Sequence, residues 1–77
     1  MNTPESQHPH IGHNIKMLRE LRNYTQEYMA QCIGISRQSY CKLEHSADIN
    51  TAQLYQIAKA LDTDVFHILA FNDQQIF

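Results

Sequence analysis

The sequence predicts an all-α fold of five short helices in a single domain. Three observations carry that reading. Apolar residues recur every three or four positions from Ile11 to Leu69, and no stretch alternates with the period of a strand. Residues that favour helix N-caps (Thr25, Ser36, Asn50 and Asp64) stand immediately ahead of four of these runs. The chain has 77 residues, enough for one domain and too few for two. A chain of that size buries a modest share of its surface. It must keep its contacts local or lean on a second copy of itself.

Residues 1–10 carry Pro4, Pro9 and mostly polar side chains, and are expected to form a flexible arm. Arms that enter the minor groove of DNA carry Arg or Lys, and this one has neither. His8, His10 and His13 lie in a carboxylate-poor segment, so no metal site is expected there. The segment has neither the basic cluster nor the apolar run of a signal peptide. No run approaches the ~20 apolar residues of a membrane span. A cytoplasmic protein is expected.

Helix 1 should run from Gly12 or His13 to Arg22, with Ile15, Leu18 and Leu21 as its apolar stripe and Ile11 just ahead. Lys16, Arg19 and Arg22 give it a basic side. Asn23 should stop it, because Asn tolerates the left-handed conformation. Helix 2 takes Thr25 as N-cap, holds Glu27 at the positive end of its dipole and ends at Gly34. Met29, Ala30 and Ile33 form its inner face. Helix 3 follows Ser36 and reaches Glu44 or His45, with Tyr40 and Leu43 inward.

Two helices joined by a short turn containing Gly form a helix-turn-helix unit. Helix 3 of that unit is about 10 residues, or ~15 Å, long. Such a helix fits the major groove of DNA with its N-terminal end leading. Arg37, Gln38, Ser39 and Lys42 avoid its inner stripe. Arg pairs with guanine and Gln with adenine through two hydrogen bonds each. A polar helix face is also what any solvated helix shows. The position just after the turn is what favours DNA.

Helix 4 is expected over Thr51 to Leu61 with Asn50 as N-cap. Leu54, Ile57, Ala58 and Leu61 face inward and Tyr55 lies at the edge. Helix 5 is capped by Asp64 and turns Val65, Ile68 and Leu69 inward. Residues 71–77 form a tail that ends in Ile76 and Phe77, too short to pack a core alone.

Net charge is −2 and the pI about 6.2, which argues against a nonspecific nucleic-acid coat. Distribution matters more. Five of the six cations fall at or before Lys42, whereas Asp48, Asp62, Asp64 and Asp73 come late. The two cysteines, Cys32 and Cys41, form no CxxC pair, and two free thiols are expected.

Three stretches, IGHNIKMLRE, YTQEYMAQCIGISRQSYCKLE and QLYQIAKALDTDVFHIL, resemble the phage-repressor and Cro-like helix-turn-helix regulators, also called the xenobiotic-response-element type. The likeness covers about 60 of the 77 residues, in order and with the family's spacing. It implies a compact five-helix, lambda-repressor-like domain over residues 11–70 that binds operator DNA, usually as a two-fold dimer. Carried over by position, Arg37, Gln38 and Lys42 are base-reading residues. Ser39 lies near the groove and backbone. Gln26 matches a residue that contacts a phosphate and steadies the recognition helix. Arg19 and Glu44 match a structural ion pair linking helix 1 to the end of helix 3.

The chain also departs from the family. Where members continue with Asn-Gly-Lys or similar and then Pro, this one has His45, Ser46, Ala47, Asp48 and Ile49. A Lys is missing and an Asp is present, so phosphate affinity should be lower than in a basic member. Tyr40 replaces an aliphatic residue, and either fills the core or leaves its hydroxyl near the DNA backbone.

These readings together imply a transcriptional regulator that binds double-stranded DNA as a homodimer on a short inverted repeat. Helix 3, residues 36–45, would enter the major groove. Gln26, Ser39, Lys16, Thr51 and Tyr40 would serve the DNA backbone, with N–H groups at the starts of helices 2 and 4. Phe66, Phe71, Ile76 and Phe77 would supply the dimer contact or pack on their own core. An antitoxin-like or adaptor module that works mainly through a protein partner is the alternative. No enzymatic activity is expected, because no Ser/His/Asp or Cys/His set would converge. Neither a cofactor, a small-molecule ligand nor a metal is implied.

Overall fold

In the computed structural model, which describes residues 11–71, five helices follow one another. They are α1 (Ile11–Leu21), α2 (Gln26–Ile33), α3 (Arg37–Glu44), α4 (Thr51–Ala60) and α5 (Val65–Ala70). No strand occurs among the described residues. The expected arm over 1–10, and Ile76 and Phe77 of the tail, lie outside them.

Local chemistry sets the helix ends. The Thr25 hydroxyl accepts from the Tyr28 N–H, and the Ser36 hydroxyl from the Ser39 N–H. Asn50 and Asp64 do the same for Gln53 and His67. All four caps are the ones expected from sequence. Each satisfies a donor that the helix cannot reach with its own carbonyls. Gly34 closes α2 at φ 76°, in the left-handed region that Gly enters without steric cost. Asn23 adopts φ 62° after α1, as expected. Asp62, at φ 58°, makes the corresponding turn after α4, and the Thr63 N–H returns to the Ala58 carbonyl.

The core gathers Ile15, Leu18, Met29, Ala30, Ile33, Tyr40, Ile49, Leu54, Ile57, Ala58, Leu61 and Ile68. α2 packs on α3 and α4, while α1 spans α3 and α5. Two inward assignments need correction. Leu21 is 54 % exposed. It sits about 90° around α1 from the centre of the Ile11–Ile15–Leu18 stripe, at 100° per residue. Leu69 is 40 % exposed, at the edge of the α5 face that Ile68 centres. Polar groups fill part of the α1 face instead. Asn14 is buried and its amide donates to the Ile68 carbonyl at 2.9 Å, tying α1 to α5.

Gly12 brings α1 against the turn after α3. Its N–H donates to the Ser46 carbonyl at 2.9 Å. A Cβ there would lie 2.3 Å from the Leu43 carbonyl oxygen and 2.6 Å from that of Ser46. Both are backbone atoms, so only Gly permits this approach. Among the described residues no helix is long and apolar enough to cross a membrane.

Candidate nucleic-acid interface

The helix-turn-helix unit positions α3 by its inner side and leaves its outer side free. Tyr40 and Glu44 are buried, and Leu43 packs partly on the core. Arg37, Gln38, Ser39 and Lys42 are all exposed. Gln38, Ser39 and Lys42 lie on the outward side of the helix, whereas Arg37, seven positions before Glu44 and on its angular side, is exposed because it stands at the first position of α3. At its N-terminus the Ser36 hydroxyl also meets the Ser39 hydroxyl at 3.0 Å.

The inner side is held by a polar network around one carboxylate. Arg19 Nε donates to Glu44 Oε2 at 2.6 Å, and Arg19 Nη2 donates to Oε1 at 3.3 Å. Arg19 Nη1 donates to the Tyr24 carbonyl at 2.7 Å, so the guanidinium also braces the turn into α2. Gln26 Nε2 donates to Glu44 Oε1 at 3.1 Å. One carboxylate thus joins α1, α2 and α3. The Arg19–Glu44 pair expected from the family resemblance is formed, and the Glu44 side chain is only 1 % exposed. Burial alone would raise the Glu44 carboxyl. Hydrogen bonds from Arg19 and Gln26, with the Tyr40 hydroxyl close by, outweigh it and hold the group below its ordinary value. The Glu44 contacts in turn raise the Arg19 guanidinium against the opposing effect of burial.

Tyr40 does not reach the DNA backbone. It is fully buried, and its hydroxyl has no hydrogen-bond partner. Burial, and then the nearby Glu44 carboxylate, push that hydroxyl far above its ordinary range. Its ring occupies the core between helices, which is the first of the two roles open to it from sequence. The reason is angular: Tyr40 and Glu44 are four positions apart, so they share a face opposite Gln38 and Lys42.

The remaining site residues fall as follows. Gln26 is half-buried, with its amide on Glu44 and its Oε1 accepting from Cys41 Sγ at 3.7 Å. Lys16 is half-buried on α1, and Thr51 is exposed at the first position of α4. Phe66 is 80 % exposed, whereas Phe71 packs partly on the core. Cys32 and Cys41 are free thiols. Arg22, read from sequence as part of a basic side, instead turns its Nε to the Leu61 carbonyl and closes the end of α4. Gly12, Asn14 and Cys41 also carry contacts that spacing alone did not suggest.

Comparison with known proteins bears on the same segment. A family model described as Helix-turn-helix matches residues 15–68. The clp gene regulator ClgR from C. glutamicum is similar in structure, with a TM-score of 0.74 at 19 % identity. That match covers 80 % of this chain and 82 % of ClgR. A hypothetical transcription factor, NHTF from Neisseria, superposes with a TM-score of 0.76 at 19 % identity over 99 % of this chain and 91 % of its own. Identities this low speak for the fold alone. Comparison with curated proteins gave no match. With five helices in this order, a Gly34 turn between α2 and α3, and a family match running from α1 into α5, the chain belongs to the helix-turn-helix family of the Cro/C1 type.

Proposed function

We propose that the chain is a DNA-binding transcriptional regulator that acts without enzymatic chemistry, as a homodimer on a short inverted-repeat operator. The observation that carries this reading is the division of α3 into two sides. Its inner side is anchored by Tyr40 and Glu44, its outer side offers Gln38, Ser39 and Lys42, and Arg37 stands exposed at its capped N-terminal end. A recognition helix needs both: rigid placement and unspent polar groups. Arg37, Gln38 and Lys42 meet base edges. Ser39, Lys16 and Gln26 hold phosphates, joined by the N–H groups at Gln26 and Thr51 that lie outside the hydrogen-bond ladders of α2 and α4. The similar structures, a clp gene regulator and a hypothetical transcription factor, fit the same role.

A single domain of this size buries only ~600–1,000 Å² on DNA, so useful specificity calls for two copies. Phe66 is the exposed aromatic residue on α5 that best suits such a contact. Its exposure also favours a second reading, in which another protein is the partner and DNA binding is secondary.

Fluorescence anisotropy of the protein on its own upstream DNA, against scrambled DNA at several salt concentrations, tests the proposal. Tight binding to the native sequence with a steep salt slope supports it. Equal, weak binding to both refutes autoregulation through α3 and directs attention to protein partners.

A further inference from the structure

We infer that Cys41 is a positioning residue that, together with Glu44, holds the Gln26 amide in one orientation, and so presents Gln26 as a donor toward a DNA phosphate. The inference rests on the DNA-binding reading above. A Gln side chain ends in two groups of opposite character, and partners decide their order. Gln26 Nε2 lies 3.1 Å from Glu44 Oε1. The reversed amide would set its oxygen against that carboxylate, acceptor facing acceptor. Gln26 Oε1 in turn lies 3.7 Å from Cys41 Sγ, whose S–H is the donor it receives.

Cys41 and Glu44 are three positions apart on α3, so the amide from α2 lies across both. The two contacts demand the same orientation. One Nε2 hydrogen is spent on Glu44, and the other makes no hydrogen bond among the described residues and is available to an acceptor at the start of α2. A phosphate oxygen accepts only, so this is the end of the amide that it requires. Cys41 contributes without touching DNA. Among the described residues it supplies the hydrogen bond on the oxygen side of the amide, from a half-buried position on the recognition helix.

The test uses a duplex that the full-length wild-type protein selects from a random pool. Affinities are measured by anisotropy for Cys41→Ala, Cys41→Ser, Gln26→Ala and the double variant Gln26→Ala/Cys41→Ala. A weak S–H···O bond implies a loss of about two- to fivefold for Cys41→Ala. Cys41→Ser, which keeps a donor, retains affinity, and Cys41→Ala costs nothing further once Gln26 is Ala. In the free protein, the two ¹⁵N-resolved side-chain amide hydrogens of Gln26 move toward each other in Cys41→Ala and stay in place in Cys41→Ser. Unchanged Gln26 signals and affinity in Cys41→Ala overturn the inference. So does an equal loss with and without Gln26. A wild-type protein that selects no duplex overturns it together with the DNA-binding reading.

Discussion

The Arg19 guanidinium and the Glu44 carboxylate meet at 2.6 Å across 25 positions of sequence, and Glu44 is almost completely shielded from water. The energy of such a pair is asymmetric. Desolvating two charges costs about what their attraction returns, but removing one partner strands the other in the interior.

Arg19→Ala should therefore destabilise the domain by about 3–5 kcal/mol, a large part of the stability of a chain this small. Replacing both residues with apolar side chains of similar volume should cost much less. Urea unfolding midpoints of the single and double variants decide it. Equal losses would mean that packing rather than charge holds α1 to α3.

Acid should loosen the same joint. The Glu44 carboxyl sits below its ordinary value of 4.5 in the folded chain. A depressed carboxyl stabilises fully above its unfolded value and loses that contribution as pH falls through the folded one. Stability should be level near neutrality on this account and fall below about pH 4.5, progressively toward lower pH. In Glu44→Gln the fall should be shallower. A matching acid slope in both proteins would assign the effect to other carboxylates.

Tyr40 allows the phenol to be split into ring and hydroxyl. The hydroxyl is buried without a partner in hydrogen-bond geometry, yet it lies close enough to the Glu44 carboxylate to help hold that group down. In Tyr40→Phe, relief of an unsatisfied group is set against loss of that help, and the melting temperature should change little. Tyr40→Ala should cost about 3–5 kcal/mol, as for other large core residues. DNA affinity should not change in Tyr40→Phe. A drop in affinity without a drop in stability would restore the backbone role that burial rules out.

Gly12→Ala sets two magnitudes against each other. Ala gains up to ~1 kcal/mol over Gly within a helix. The new Cβ would stand 2.3 Å from the Leu43 carbonyl oxygen, and overpacking against backbone costs about 1–3 kcal/mol or more. The clash should win and lower the unfolding midpoint. A more stable variant would mean that α1 shifts freely relative to the α3–α4 turn.

Gln38→Ala should leave the melting temperature unchanged, because the side chain is exposed. Base preference should relax at one operator position, by about 1–3 kcal/mol of discrimination. Binding-site selection with the variant reads this directly. A fall of many degrees in melting temperature would instead make Gln38 structural.

Much of this architecture is legible from local chemistry. Thr25, Ser36, Asn50 and Asp64 cap the helices that their positions suggest, because a cap depends on residues two or three positions away. Gly34 and Asn23 take the left-handed turns expected of them for the same reason. What spacing could not convey depends on residues far apart in sequence. Asn14 looks like an ordinary polar position until the Ile68 carbonyl arrives, 54 residues later. Arg22 looks like surface charge until Leu61 ends α4 beside it. Gly12 looks like the loose start of a helix until the α3–α4 turn packs on its bare Cα. Leu21 and Leu69 stay exposed although they fit the pattern, because an apolar residue near a short helix's end satisfies the periodicity whether or not anything covers it.

The two-sided build of α3 has a consequence for how such a protein changes its address. Arg37, Gln38, Ser39 and Lys42 lie outside the network that Glu44 and Tyr40 anchor. Selection, natural or in the laboratory, can rewrite those four letters while the scaffold stays solvent-proof and intact. On the proposed DNA-reading role, the vocabulary of targets is then limited by groove chemistry, not by the risk of unfolding.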